Sequence, residues 1–77
     1  MKIEILGVGC PKCASLEANV KQALVELSKS AEVVKVTDIN AIVEKGAMQT
    51  PALVIDGKII TQGKVPTVEQ IKQFIER

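Results

Sequence analysis

Residues 2–13 read KIEILGVGCPKC, and this stretch decides the predicted fold. Its first part, Lys2–Leu6, is short and rich in β-branched residues, which is typical of a strand. Gly7 and Gly9 then permit a tight change of direction. Pro11 suits the first position of a helix, because its missing N–H would have no partner there. The stretch therefore predicts a strand, a glycine turn and a helix, with two cysteines at the turn.

The first helix is predicted to have one apolar face. Residues at spacings of three and four share one side of a helix, and the apolar ones here are Cys13, Leu16, Val20, Leu24 and Leu27. Glu17 and Lys21 stand four residues apart and predict an ion pair on the outside of this helix.

The middle of the chain predicts a second strand and a short helix. Residues 32–37 contain three valines and predict a strand with a parallel partner, buried on both sides if it lies inside the sheet. Asp38 can cap the following helix, and Gly46 can end it in a left-handed conformation. The apolar residues of that helix are Ile39, Ile42 and Val43.

The last third of the chain predicts a hairpin and a final helix. An Asp-Gly pair joins Ala52–Ile55 to residues 58–61, which is typical of a two-residue type I′ turn between antiparallel strands. Thr67 and Gln70 form a capping box at the start of the final helix. The buried stripe of that helix is predicted to contain Val68, Ile71, Phe74 and Ile75.

These elements follow the order βαβαββα. The simplest α/β fold that buries every apolar face is a mixed four-stranded sheet flanked by three helices. The chain contains no internal repeat and no linker-like tract, so we expect a single domain over residues 1–77.

Composition narrows the classes of function. Hydrophobic residues make up 47% of the 77 residues and charged residues 25%, as in an ordinary globular protein. The net charge is +1 with interspersed signs, so no nucleic-acid partner is expected. No apolar run approaches the roughly 20 residues of a membrane span, and the amino terminus does not resemble a secretory signal. We expect a cytoplasmic protein that does not associate with membranes.

Cys10 and Cys13 are the candidate reactive residues. Cys10 falls at the predicted helix N-cap, where backbone N–H groups and the helix dipole stabilise a thiolate. Cys13 lies one turn further in, on the apolar side, and should stay a thiol until it is needed. The pattern predicts that Cys10 attacks a disulfide and that Cys13 resolves the mixed disulfide. Lys12 adds a nearby positive charge.

A C-x-x-C pair considered alone is consistent with redox chemistry and with metal binding. Two thiolates suit a soft metal ion such as Cu(I), so a metal-binding or metal-carrier protein using Cys10 and Cys13 is the alternative function. A structural zinc site needs about four ligands, whereas the chain has two cysteines and no histidine.

With C-P-x-C after a first strand and Thr50-Pro51 before a later one, the whole chain resembles the thioredoxin and glutaredoxin superfamily. It looks most like the minimal thioredoxin-like, redox-active disulfide proteins of archaea and bacteria. The resemblance implies a thioredoxin-like fold and a cis Thr50–Pro51 bond beside the cysteines. The predicted substrate-binding residues are Pro11, Lys12, Thr50 and Pro51.

The sequence also departs from that superfamily. Thioredoxins usually carry a tryptophan before the motif, whereas this chain has Val8 and Gly9 there, so the substrate surface must differ. Glu4 is the only acidic residue of the first strand, and strand alternation does not mark it as the buried carboxylate that assists proton transfer in thioredoxins. The single Gly63 replaces the Gly-Gly pair of glutathione-binding glutaredoxins, so glutathione binding is not supported.

The predicted function is therefore that of a thiol:disulfide oxidoreductase. Its Cys10/Cys13 couple would reduce or exchange the disulfides of client proteins. The partners expected from the resemblance are disulfide-containing clients and a thioredoxin-reductase-like electron donor. We expect a monomer that needs no organic cofactor.

Overall fold

The computed structural model describes residues 1–9 and 11–76, and its elements follow the predicted order. They are β1 Lys2–Leu6, α1 Pro11–Glu26, β2 Glu32–Val36, α2 Ile39–Glu44, β3 Ala52–Ile55, β4 Lys58–Gln62 and α3 Val68–Glu76. Compared with the prediction, β2 ends one residue earlier and β4 one residue later. None of the helices in the described part of the chain is long and apolar enough to cross a membrane.

The four strands form one mixed sheet in the order β2-β1-β3-β4. β1 pairs with β2 in parallel and with β3 antiparallel, and β3 pairs antiparallel with β4. β2 is therefore an edge strand, and its three valines are only partly buried. Residues 32–37 were expected to be buried on both sides only if their strand lay inside the sheet, and β2 lies at the edge. A β-branched run favours a strand without specifying its place in the sheet.

Two apolar clusters cover the two faces of the sheet. The larger cluster, on the side of α1 and α3, contains Ile3, Ile5, Leu16, Val20, Ala23, Leu24, Leu53, Ile55, Ile71 and Ile75. The smaller cluster, on the side of α2, contains Leu6, Ile42, Ala47, Ala52 and Val54. Alternating residues of β1 contribute to both clusters, as the pleat of a strand requires. The turn after β1 is thus anchored to a strand that is buried on both faces.

The predicted caps and turn are present. The side chain of Asp38 accepts the N–H of Asn40 at 3.1 Å at the start of α2, and Gly46 follows this helix with a φ of 90°. Thr67 and Gln70 exchange hydrogen bonds of 3.0 and 3.2 Å at the start of α3. The two residues of the β3–β4 turn have φ values of 50° and 85°, and a type I′ turn requires positive φ at both positions.

Glu4, in the middle of β1, is buried with only 6% of its surface exposed. Its Oε2 atom lies 2.7 Å from Nζ of Lys45, the residue that caps the C-terminal end of α2. Strand alternation did not mark Glu4 as a buried carboxylate, whereas the structure buries it. Alternation exposes every second residue only when one face of a sheet is open, whereas both faces of the central strand β1 are covered.

Candidate functional site

The cysteine motif occupies the turn between β1 and α1. Cys13 lies in the first turn of α1 and is 9% exposed, so it is buried on the apolar side as predicted. Pro11 begins the helix, and both Pro11 and Lys12 are exposed. Cys10 lies outside the described residues. Its place at the helix N-cap and its role as the attacking thiolate therefore stay predictions.

Gly7, Cys13 and Pro51 meet beneath this turn. A Cβ atom at Gly7 would collide with Sγ of Cys13 and would lie 3.9 Å from Cα of Pro51. Glycine is therefore needed at the end of β1 to leave room for the thiol sulfur. The fold thus brings together two of the predicted site residues, Cys13 and Pro51, which are 38 positions apart in the sequence.

Thr50 and Pro51 form the end of the segment that leads into β3. The peptide bond between them is cis, as the resemblance implies. Pro51 is buried, whereas Thr50 is exposed. Thr50 and Val8, from the cysteine turn, line the same surface groove. The structure therefore places Thr50, which was predicted to contact substrate, beside the turn that carries the cysteines.

The groove beside Thr50 has a volume of about 230 Å³ and extends along α2. Four of the apolar side chains that line it are exposed: Val8, Ile39, Val43 and Met48. Of the three large apolar residues of α2, only Ile42 is buried. No motif in the sequence predicted this surface. The signal that could have predicted it is the composition of α2: this six-residue helix has more apolar side chains than its one packed face can bury.

A second cavity of about 210 Å³ lies on the other side of the cysteine turn, and its lining includes Cys13, Glu17 and Lys35. Oxygens of the Glu17 carboxylate lie 3.2 Å from Nζ of Lys21 and 3.6 Å from Nζ of Lys35. The first contact confirms the predicted Glu17–Lys21 pair. The hydrogen bond from Lys21, helped by the charges of both lysines, lowers the pKa of Glu17. An ionised carboxylate therefore lines the cavity one helical turn after Cys13.

Within residues 1–9 and 11–76, no three cysteine, histidine, aspartate or glutamate side chains are grouped so that they could hold a metal ion. The alternative function of soft-metal binding rests on Cys10 together with Cys13, and Cys10 lies outside those ranges.

Comparison with known proteins gives consistent matches over nearly the whole chain. A family model for the thioredoxin domain matches residues 1–76. A protein named thioredoxin from Methanocaldococcus jannaschii is 49% identical over 74 residues, which cover 96% of this chain and 85% of that protein. A protein named thioredoxin from Methanothermobacter thermautotrophicus is 39% identical over 75 residues, which cover 97% of each chain. These matches do not support the metal-binding alternative.

Proposed function

Because the chain belongs to the thioredoxin family and is a thiol:disulfide oxidoreductase with a thioredoxin-like fold, we propose that it reduces or exchanges protein disulfides through Cys10 and Cys13. The Cys10 thiolate attacks one sulfur of a client disulfide, which forms a mixed disulfide and releases one client thiolate. Deprotonated Cys13 then attacks Sγ of Cys10, which forms the Cys10–Cys13 disulfide and releases the second client thiolate. The client gains two electrons and two protons, and the dithiol is oxidised.

The observation that carries this proposal is the meeting of Gly7, Cys13 and Pro51. A resolving cysteine must be shielded from disulfides in solution and yet be close to the sulfur of its partner cysteine. Cys13 is buried at the start of α1, three positions after Cys10 in the sequence, and it shares the neighbour Gly7 with Pro51, which ends the segment proposed to receive the client. This environment favours attack on a neighbouring disulfide over attack on an external one.

We further propose that an extended client segment lies along Thr50 and inserts an apolar side chain into the groove beside α2. The exposed apolar residues of that groove adjoin the cysteine turn through Val8. Pro11 and Lys12, at the exposed start of α1, would border the same client segment. In place of the tryptophan that thioredoxins usually carry before the motif, this surface would use aliphatic side chains of α2 and Met48.

Glu4 is our proposal for the group that takes the proton from Cys13. It is a buried carboxylate on β1, three positions before Gly7, and its ion-pair partner is Lys45. The family resemblance implies a buried carboxylate that assists proton transfer. Glu17, on the same helix as Cys13, is less buried: 21% of its side chain is exposed, compared with 7% for Glu4.

The remaining parts of the proposal concern the cellular setting. Members of this family act on disulfide clients and receive electrons from a reductase, so we propose a thioredoxin-reductase-like donor. We propose a single domain over residues 1–77 that acts as a monomer without an organic cofactor. The balanced net charge of +1 supports a protein that does not bind nucleic acid, and we propose the cytoplasm as its compartment.

Trapping of the mixed disulfide tests the assignment of the two cysteines. With insulin as the client and dithiothreitol as the electron source, the wild type should reduce the interchain disulfides. Without free dithiothreitol, pre-reduced Cys13→Ser should accumulate a covalent complex with insulin, which dithiothreitol added afterwards releases, and Cys10→Ser should accumulate none. Accumulation with Cys10→Ser alone would exchange the two roles. Failure of the wild type to reduce insulin would contradict the proposed function.

A further inference from the structure

The segment that leads into β3 is held by the last residue of β4. Oε1 of Gln62 accepts the backbone N–H of Met48 at 2.7 Å and the backbone N–H of Gln49 at 3.2 Å. Gln62 pairs with Ala52 in the β3–β4 ladder, so its side chain lies on the α2 face of the sheet. One side-chain oxygen thus fixes two consecutive peptide groups in a segment that belongs to no helix or strand.

Gly63, the residue after Gln62, holds the same segment at its other end. Its N–H donates to the carbonyl oxygen of Pro51 at 2.9 Å. The side chain of Gln49 lies so close to Gly63 that an added Cβ would collide with Oε1 of Gln49. Gly63 has a φ of 74°, which a side chain would also strain. The end of β4 therefore contacts the segment both before and after Thr50.

Thr50 lies between these two attachments. It is exposed, and it makes no hydrogen bond with any other residue in the ranges 1–9 and 11–76. Hydrogen bonds therefore hold its neighbours Gln49 and Pro51, whereas its own backbone N–H and carbonyl make no hydrogen bond within those ranges. Backbone groups that are held in place and still unpaired are suited to pairing with an extended peptide.

We propose that Gln62 is a positioning residue for client binding. Its side-chain oxygen orients the peptide groups of Met48 and Gln49 so that Thr50 presents its backbone to the client beside the cysteine turn. This inference rests on the proposed function and adds a residue distant in sequence from the cysteine motif. This role requires a side chain at position 62 that is as long as glutamine and ends in an oxygen that can accept hydrogen bonds.

The test compares two disulfides of different size. Insulin offers an extended chain to Thr50, whereas 5,5′-dithiobis(2-nitrobenzoate) is a small disulfide with no peptide backbone. Gln62→Leu removes the acceptor, and Gln62→Glu keeps it. Gln73→Leu, at an exposed position of α3, controls for the loss of a surface amide. The measured quantity is kcat/KM for insulin divided by kcat/KM for the small disulfide.

We expect Gln62→Leu to lower this ratio about tenfold, mainly through a higher KM for insulin, because two hydrogen bonds that order the segment are lost. Gln62→Glu and Gln73→Leu should keep the wild-type ratio. Hydrogen exchange at the amides of Met48 and Gln49 should become faster in Gln62→Leu and stay unchanged in Gln62→Glu and Gln73→Leu. Gln62→Met provides a second variant without an acceptor if Gln62→Leu does not fold.

Two results would overturn the inference while leaving the proposed function intact. The first is a wild-type ratio in a folded Gln62→Leu or Gln62→Met variant. The second is an equal loss in Gln62→Glu and Gln62→Leu, because an acceptor oxygen would then be irrelevant. A wild-type protein that reduces neither disulfide would instead contradict the proposed function itself.

Discussion

The carboxylate of Glu4 and the ammonium group of Lys45 form an ion pair of 2.7 Å that joins the centre of the sheet to the end of α2. Glu4 is 6% exposed, whereas the side chain of Lys45 is 38% exposed. The pair therefore places one charge inside the protein and lets the other reach solvent. Because residues 46–51 follow Lys45 directly, this contact also helps to locate the segment that ends at Pro51.

Replacing Lys45 tests how much the pair stabilises the fold. Lys45→Met should lower the free energy of unfolding by about 1–3 kcal/mol, because it leaves a buried carboxylate without its partner. The double variant Glu4→Leu with Lys45→Met should recover most of that loss. Urea unfolding measures both, with Lys58→Met at the exposed start of β4 as control. If Lys45→Met unfolds like the wild type, the pair contributes nothing to stability.

Glu4→Gln tests the proposed proton transfer. The substitution keeps the size of the side chain but removes the proton acceptor, so the attack of Cys13 on the mixed disulfide should slow at least tenfold. Stopped-flow measurement of the release of insulin thiols reports this step. The alkylation rate of Cys10 in the reduced protein should stay unchanged, since Cys10 acts before the proton is moved. An unaltered release rate would exclude Glu4 from this role.

The ion pairs of Glu17 predict a stability that depends on pH. Its pKa is lowered below the ordinary value of 4.5 by Lys21 and Lys35. The ionised form is therefore favoured in the folded state, and its contribution is complete above pH 4.5 and is lost as the pH falls through the folded-state pKa. Glu17→Gln should reduce stability at pH 7 by less than about 1 kcal/mol and should match the wild type near pH 2.

Urea unfolding at both pH values checks the prediction for Glu17, and Glu32→Gln serves as the matched control because Glu32 is an exposed glutamate at the start of β2. The difference between wild type and Glu17→Gln should also shrink in 1 M salt, because exposed ion pairs are screened. A difference that persists unchanged at pH 2 would show that the effect is not electrostatic.

The apolar groove predicts a client-binding defect that leaves the fold intact. Val43→Asp should raise the KM for insulin about fivefold, because a charge on this surface would have to be desolvated against apolar client side chains. Val25→Asp is the matched control: Val25 is 71% exposed on α1 and Val43 is 64% exposed on α2. Both variants should unfold at similar urea concentrations. Equal KM values in the two variants would show that the groove does not bind clients.

The sequence by itself determined the order of the elements and most of their ends. Spacing of apolar residues, the Asp38 cap, the Asp-Gly turn and the Thr67–Gln70 capping box are local signals, and each acts over a few neighbouring residues. The cap, the turn and the capping box agree with the structure. The apolar spacing agrees in part, because Leu27 lies beyond the end of α1, and Leu27, Val68 and Phe74 are only partly buried. The cysteine motif was equally visible, because its two cysteines lie within four positions of the chain.

Only the tertiary structure decided which distant residues meet. No local signal marks the position of β2 at the sheet edge, the burial of Glu4 or the hydrogen bonds that Gln62 accepts from Met48 and Gln49. For the exposed apolar face of α2, the one local signal is the number of apolar side chains in so short a helix. Each depends on which strand is central and on what packs against each of its faces. A residue pattern reports that a side chain prefers burial, whereas the packing of the whole chain determines which side chains are buried and beside which neighbours.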